Sequence, residues 1–305
     1  MSLLPDRDFL TKSEQVYAPY VSPPIRPTVY SGNTSLLRRG DDDVLLVQLH
    51  RNYDRDAQRH MAEFCLLRHG SPEWELKEPM PIIQDQGGNG DALLRTRGGI
   101  NNIIPLGDRF LCWVKYESGF LLCNMVDEGS PKVRYVPLPP GVCWDPKEYE
   151  QDMIIKHAMN MVAAGASTVR FVSIDPHCCC GGAGKSTCAH FRYAFTINAW
   201  AMKNLSMDEP LLTWVKDGEI DCEELWRLPG YEDLPRVNLM CPIVCLDNPN
   251  VVCFLVSNRA FVSSYEDWKE WMIQLNIKTK TLLSVVQYSN DSRGAYYHLP
   301  ARLQC

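Results

Sequence analysis

The sequence predicts an all-β fold, and three observations carry that reading. Short stretches rich in β-branched and aromatic residues recur along the chain. Turn signals containing glycine or proline separate them, the pattern of a series of hairpins. A degenerate motif, Trp-x-x-Lys or Trp-Val-Lys, returns at Trp74, Trp113, Trp200 and Trp214, each at or near such a stretch. Blades of a propeller run roughly 40–50 residues, so a chain of this size has room for about six. A propeller-like architecture is therefore expected, with a β-sandwich or an open barrel as the alternative.

Residues 1–35 are polar and carry Pro19, Pro23, Pro24 and Pro27. They read as a loosely ordered arm, and residues 36–305 as a single β-rich domain. Val44–Leu49 is the first strand expected. Glu63–Arg68 is the next, followed by the turn His69-Gly70-Ser71-Pro72 and a return at Trp74–Lys77. A glycine-rich loop at Gln86–Gly90 precedes the clearest hairpin. Asp108–Val114 runs out, Gly119 turns it, and Phe120–Met125 returns. Both faces of that hairpin are apolar, which is normal for strands buried on two sides. Gly119 is expected to take a positive φ that a side chain would resist. Val133–Leu138 follows as a third strand.

The segment from Lys147 to Ala164 is the best helix candidate. Its apolar residues Met153, Ile154, Ala158, Met159, Met161 and Val162 fall near helical spacing. Strand patterns resume at Thr168–Ile174, Phe191–Ile197, Leu211–Val215 and Val251–Val256. The last pair, Trp271–Asn276 and Leu282–Tyr288, flanks a Lys-Thr-Lys turn.

Composition narrows the function classes. Hydrophobic residues make up 45% of the 305 and charged residues 22%, and net charge is −6. With no basic stripe, nucleic acid is not an expected partner. No stretch approaches the roughly 20 apolar residues of a membrane helix, and the first residues lack a secretory pattern, so a cytoplasmic or nuclear location is expected and no membrane partner. The thirteen cysteines are accordingly expected as thiols. The Asn33, Asn204 and Asn290 sequons then have no acceptor role.

Gly181-Gly182-Ala183-Gly184-Lys185-Ser186-Thr187 resembles a phosphate-binding loop. The first glycine of that pattern is replaced by Cys179, and an alternating strand follows where a helix N-terminus should meet the phosphate. Lys185 is therefore expected not to bind nucleotide. The same loop holds His177, Cys178, Cys179, Cys180, Cys188 and His190. These are zinc-ligand types, but no Cys-x-x-Cys knuckle is present and three adjacent cysteines do not all turn to one ion. Asp41-Asp42-Asp43 lacks the alternating acidic spacing of a calcium loop and reads as a solvated turn. His50, His60, His69, His157 and His298 sit at no readable nucleophile–base spacing, and no Gly-x-Ser-x-Gly elbow or His-Glu-x-x-His helix occurs. No catalytic, cofactor-binding or metal residue is assigned from sequence. Whether His177, Cys178, Cys180, Cys188 and His190 converge on a metal is a question for the structure.

Residues 104–256 resemble the plant domain-of-unknown-function family 1618, which is expanded in grasses. The resemblance rests on Pro105–Val114 with Gly119–Asn124, on Arg134–Pro139, Val169–Val172 and Cys178–Gly182, and on Trp214–Asp217, Glu223–Trp226 and Pro249–Phe254. The family has no assigned activity as a class. Some members resemble the kelch- or propeller-like domains attached to F-box proteins, which implies an F-box-associated type of β architecture. The expected function is a non-catalytic protein-interaction module whose partner is another protein. The alternatives are a hydrolase-like enzyme with a loop-assembled site, or a zinc- or redox-linked regulator using the cysteine-rich loop 177–190.

Overall fold

Seventeen strands and one short helix make up the described residues of the computed structural model. Those residues are 10–11, 14–15, 32–84, 100–126, 128–129, 131–142, 158–177, 194–209, 211–245, 247–259, 262, 264 and 267–288. The glycine-rich loop at 86–90, the stretch 143–157, the loop 178–193 with Lys185 and its cysteines, and His298 lie outside them, as does most of the arm. The expected all-β class is what the chain adopts. It divides into two compact units: Met1–Leu138 with Gly165–Ser167 and Asn204–Leu212, and Pro139–Ala164 with Thr168–Lys203 and Thr213–Cys305.

The first unit contains β1 (Thr34–Arg38), β2 (Val44–Asp54), β3 (Arg59–Arg68), β4 (Glu75–Leu76), β5 (Met80–Ile83), β6 (Asn102–Leu106), β7 (Phe110–Lys115), β8 (Gly119–Asn124) and β9 (Lys132–Pro137). They form one sheet in the order β1-β2-β3-β5-β9-β8-β7-β6, with β4 on β3. All neighbours are antiparallel except β5 and β9. The two ends of this order, β1 and β6, come back beside each other, so the sheet is nearly closed and barrel-like. The open-barrel alternative fits this unit, and a radial propeller is not established.

Local chemistry explains the connections. Asp54 Oδ1 accepts from the N–H groups of Asp56 and Ala57 at 3.0 Å, and Gln58 has φ 49°, which tightens the β2–β3 turn. The expected hairpin is present as β7 and β8, paired from Phe110↔Asn124 to Lys115↔Gly119. Every residue of β7 is buried. Leu111, Trp113, Leu121 and Cys123 enter one core with Phe64, Val47 and Tyr135. Gly119 does not have the positive φ expected of it; its constraint is space, as discussed below.

The second unit holds β10 (Met159–Ala163), β11 (Val169–Pro176), β12 (Phe195–Met202) and β13 (Val215–Asp221), then helix α1 (Cys222–Leu225), then β14 (Met240–Val244), β15 (Val251–Ser257), β16 (Glu270–Asn276) and β17 (Thr281–Tyr288). Each set of four is an antiparallel meander in chain order. Val172, Phe195 and Ile197 of one meander share a core with Val252, Phe254 and Ile273 of the other.

Two expectations need correction here. The C-terminal part of the expected helix, Met159–Ala163, is strand β10, paired with β11 through Met161↔Phe171. Met159, Met161 and Val162 are buried on a strand paired with β11 along its whole length, and tertiary pairing overrides a weak helical period. The strand expected at Leu211–Val215 instead begins at Val215 and runs to Asp221. Gly218 belongs inside it because a Cβ there would meet Ile277 Cγ2 at 2.6 Å.

Candidate functional site

Three adjacent strands bring chemically active side chains to one end of the β10–β13 sheet. β11 closes on β12 with Pro176 opposite Phe195, and the His177 N–H donates to the Ala194 carbonyl at 3.0 Å. β13 lies on the other side of β12 and sets Asp221 opposite Thr196. His177 thus arrives from one neighbour of β12 and the Asp221-Cys222 pair from the other.

His177 Nε2 stands 3.0 Å from Asp221 Oδ2. Cys222 Sγ stands 3.8 Å from Asp221 Oδ1. One nitrogen, one carboxylate oxygen and one sulfur from the three residues lie within 4.8 Å of one another. Asp221 is also the N-cap of α1: its backbone is extended (φ −76°, ψ 149°) and Oδ1 accepts from Glu223 N–H at 2.9 Å. That cap holds one carboxylate oxygen and so aims the other at His177. Cys222 is buried, whereas the side chains of His177 and Asp221 are 32% and 45% exposed, so the group opens to solvent on the His–Asp side.

The thiol is not set up as a nucleophile. Burial pushes the Cys222 pKa up and the carboxylates of Asp221 and Glu223 add to the rise, although backbone N–H groups of Phe195 and Glu223 act against it. An activated cysteine has the reverse balance, and here the imidazole nitrogen faces Asp221.

The same face continues along the strands. Asp175 accepts from Ser173 Oγ at 2.7 Å and from Asn198 Nδ2 at 2.6 Å. Burial raises its pKa, opposed by those two hydrogen bonds and by Lys216. On β11 the other face, that of Val172 and Ile174, carries Arg170, which Asp217 grips with both oxygens at 2.9 and 3.1 Å, a fork-to-fork pair. In the first unit a small cleft lies against Arg51, Trp113, Lys115 and Tyr135. Burial there lowers the Arg51 pKa.

Of the residues singled out from sequence, His177 alone is brought into the cluster among the described residues. Cys178, Cys180, Cys188 and His190 lie outside them. The triple aspartate is a surface turn in which Asp41 pairs with Arg38 and Asp43 with Arg68. His50 is buried opposite Glu63, His60 stacks edge-on to Tyr53 at 4.9 Å, and His69 is exposed. Asp221 and Cys222 escaped sequence reasoning because they follow His177 by 44 and 45 positions and meet it only through the ladder. The expected thiols are present at Cys65, Cys112, Cys123, Cys222, Cys241 and Cys253. Cys245 departs from that expectation and is disulfide-bonded.

No described helix is long and apolar enough to cross a membrane. No curated protein matches the sequence. A solved structure of Penicillium chrysogenum alpha-L-arabinanase complexed with arabinobiose aligns over 85% of this chain and 67% of that chain, at 11% identity and a TM-score of 0.32. A likeness of that extent carries no argument about activity. A family model described as protein of unknown function, DUF1618, matches residues 113–253, in agreement with the resemblance carried by Trp113, the cysteine loop and Pro249–Phe254, so this stretch of the chain is similar to that family.

Proposed function

We propose that the chain is a non-catalytic protein-interaction module that takes an extended apolar segment of another protein along strand β17. One observation carries this reading. Among the described residues β17 is the outer strand of its sheet, hydrogen-bonded to β16 on one side, and it exposes Leu283 (51%), Val285 (37%) and Val286 (60%) within four residues. Edge strands of natural proteins are normally blunted by charge, proline or a bulge. The described part of β17 carries no charged residue and no proline; its one irregularity is a shift of register against β16 at Leu283. Strand addition to such an edge gains main-chain hydrogen bonds, while side-chain pockets set specificity.

The test is selection from a displayed library of random peptides, followed by calorimetry on the selected sequences. The intact chain is expected to enrich extended, β-branched peptides. A Leu283→Asp, Val286→Asp double variant should bind them at least tenfold more weakly, a loss of about 1.4 kcal/mol, with an unchanged melting temperature. No enrichment, or equal affinity for the double variant, would sink the reading.

A further inference from the structure

We propose that His177, Asp221 and Cys222 form a divalent-metal site of the zinc class at the end of strands β11 to β13. This goes beyond the interaction reading and is independent of it.

The first argument is metric. Tetrahedral zinc binds nitrogen and oxygen at about 2.0–2.2 Å and sulfur at about 2.3 Å, which separates ligand atoms by roughly 3.3–3.8 Å. His177 Nε2 stands 3.0 Å from Asp221 Oδ2 and Cys222 Sγ 3.8 Å from the other oxygen, Oδ1; taken one donor atom per residue, the three lie within 4.8 Å of one another, a set somewhat wider than a coordinated one. Binding one ion would require the side chains to rotate inward and close that gap.

The second argument is chemical. Imidazole, carboxylate and thiolate together suit a borderline-soft dication better than magnesium or calcium, which take oxygen sets. Binding converts the Cys222 thiol to thiolate, with its proton released to water. A dication at the centre would offset the charges of the carboxylate and the thiolate that hold it.

The third argument is orientation. Supporting contacts fix ligands before the metal arrives. Here the α1 cap holds Asp221, and the bond from His177 N–H to Ala194 anchors the backbone that carries the imidazole. Because the His–Asp side is open to solvent, an ion can enter there, and a water can complete the coordination. The bound ion would tie the end of β11 to the start of α1 across β12.

The experiment uses the full chain, stripped with chelator and titrated with Zn²⁺ and Co²⁺ under reducing conditions. One equivalent should bind, raise the melting temperature, and with Co²⁺ give a thiolate-to-cobalt charge-transfer band. Cys222→Ser should abolish that band. His177→Ala, at a partly exposed position where folding is retained, should weaken Zn²⁺ binding at least tenfold; it decides the question alone if Cys222→Ser fails to fold. A control variant with Ser at Cys178, Cys179, Cys180 and Cys188 should keep the equivalent. The proposal is overturned if the intact chain binds no Zn²⁺, if His177→Ala binds within twofold of it, or if only the control variant loses the metal.

Discussion

A methyl group at Gly119 would stand 2.3 Å from the Val136 carbonyl oxygen and 2.7 Å from the Tyr135 hydroxyl. No real Cβ approaches backbone that closely, so something has to move. The Tyr135 hydroxyl is itself committed, donating to the Ser118 carbonyl at 2.8 Å. Gly119→Ala must therefore push β9 away from β8, and overpacking of this kind costs about 1–3 kcal/mol. Chemical denaturation should show the midpoint falling accordingly, and an unchanged midpoint would mean that the strands give way at no cost. Gly70 is a different case: its φ is 81° with nothing within 4 Å, the conformational freedom that a Gly-Ser-Pro turn announces. The sequence marks both glycines equally. It separates them only once the partner strand, 17 residues further on, is in place beside Gly119. The same limit hid Asp221 and Cys222, which bear no local signal that joins them to His177.

At the scale of elements, legibility followed how strongly a segment was patterned on its own. The β7–β8 hairpin announces itself because both faces are apolar and the turn is glycine-bearing, and the structure buries all of β7 and all of β8 but Asn124. Trp113 lies at its centre, 1% exposed, with its ring 6.0 Å from Phe64 and its indole N–H donating to the Asn33 carbonyl at 3.3 Å. Trp113→Ala removes the largest side chain of this core, while the Asn33 carbonyl keeps the Leu49 N–H at 3.0 Å, so the cost is that of the cavity and a loss of about 3–5 kcal/mol is expected. Equilibrium unfolding of the variant measures it; a loss under 1 kcal/mol would show that the barrel-like sheet collapses around the gap. β10 was misread because methionine and alanine favour helix slightly over five residues, too few for propensity to outweigh a ladder. The pairing of Ala163 with Val169 and of Met159 with Ser173 is information held by β11, not by β10.

At the scale of the whole molecule, the family stretch and the folded units do not share boundaries. Residues 113–253 begin inside β7 and end inside β15. A fragment cut there lacks β1 to β6 of the nearly closed sheet and lacks β16 and β17 of the last meander. The core that holds Trp113 would lose Leu45, Val47, Leu49, Phe64 and Ile82, and the second unit would lose Ile273 and Leu275. Each fully buried side chain of that size contributes roughly 1.5–3 kcal/mol, against a total domain stability of about 5–15 kcal/mol. The remaining strands would also present bare hydrogen-bonding edges, a template for aggregation. The isolated 113–253 fragment should therefore show no cooperative thermal transition and should bind a hydrophobic dye at room temperature, while the full chain melts cooperatively with a strand-dominated far-ultraviolet spectrum. A soluble fragment with a sharp transition would establish that the matched residues hold a self-sufficient core, and that the strands before β7 and after β15 are additions to it rather than parts of it.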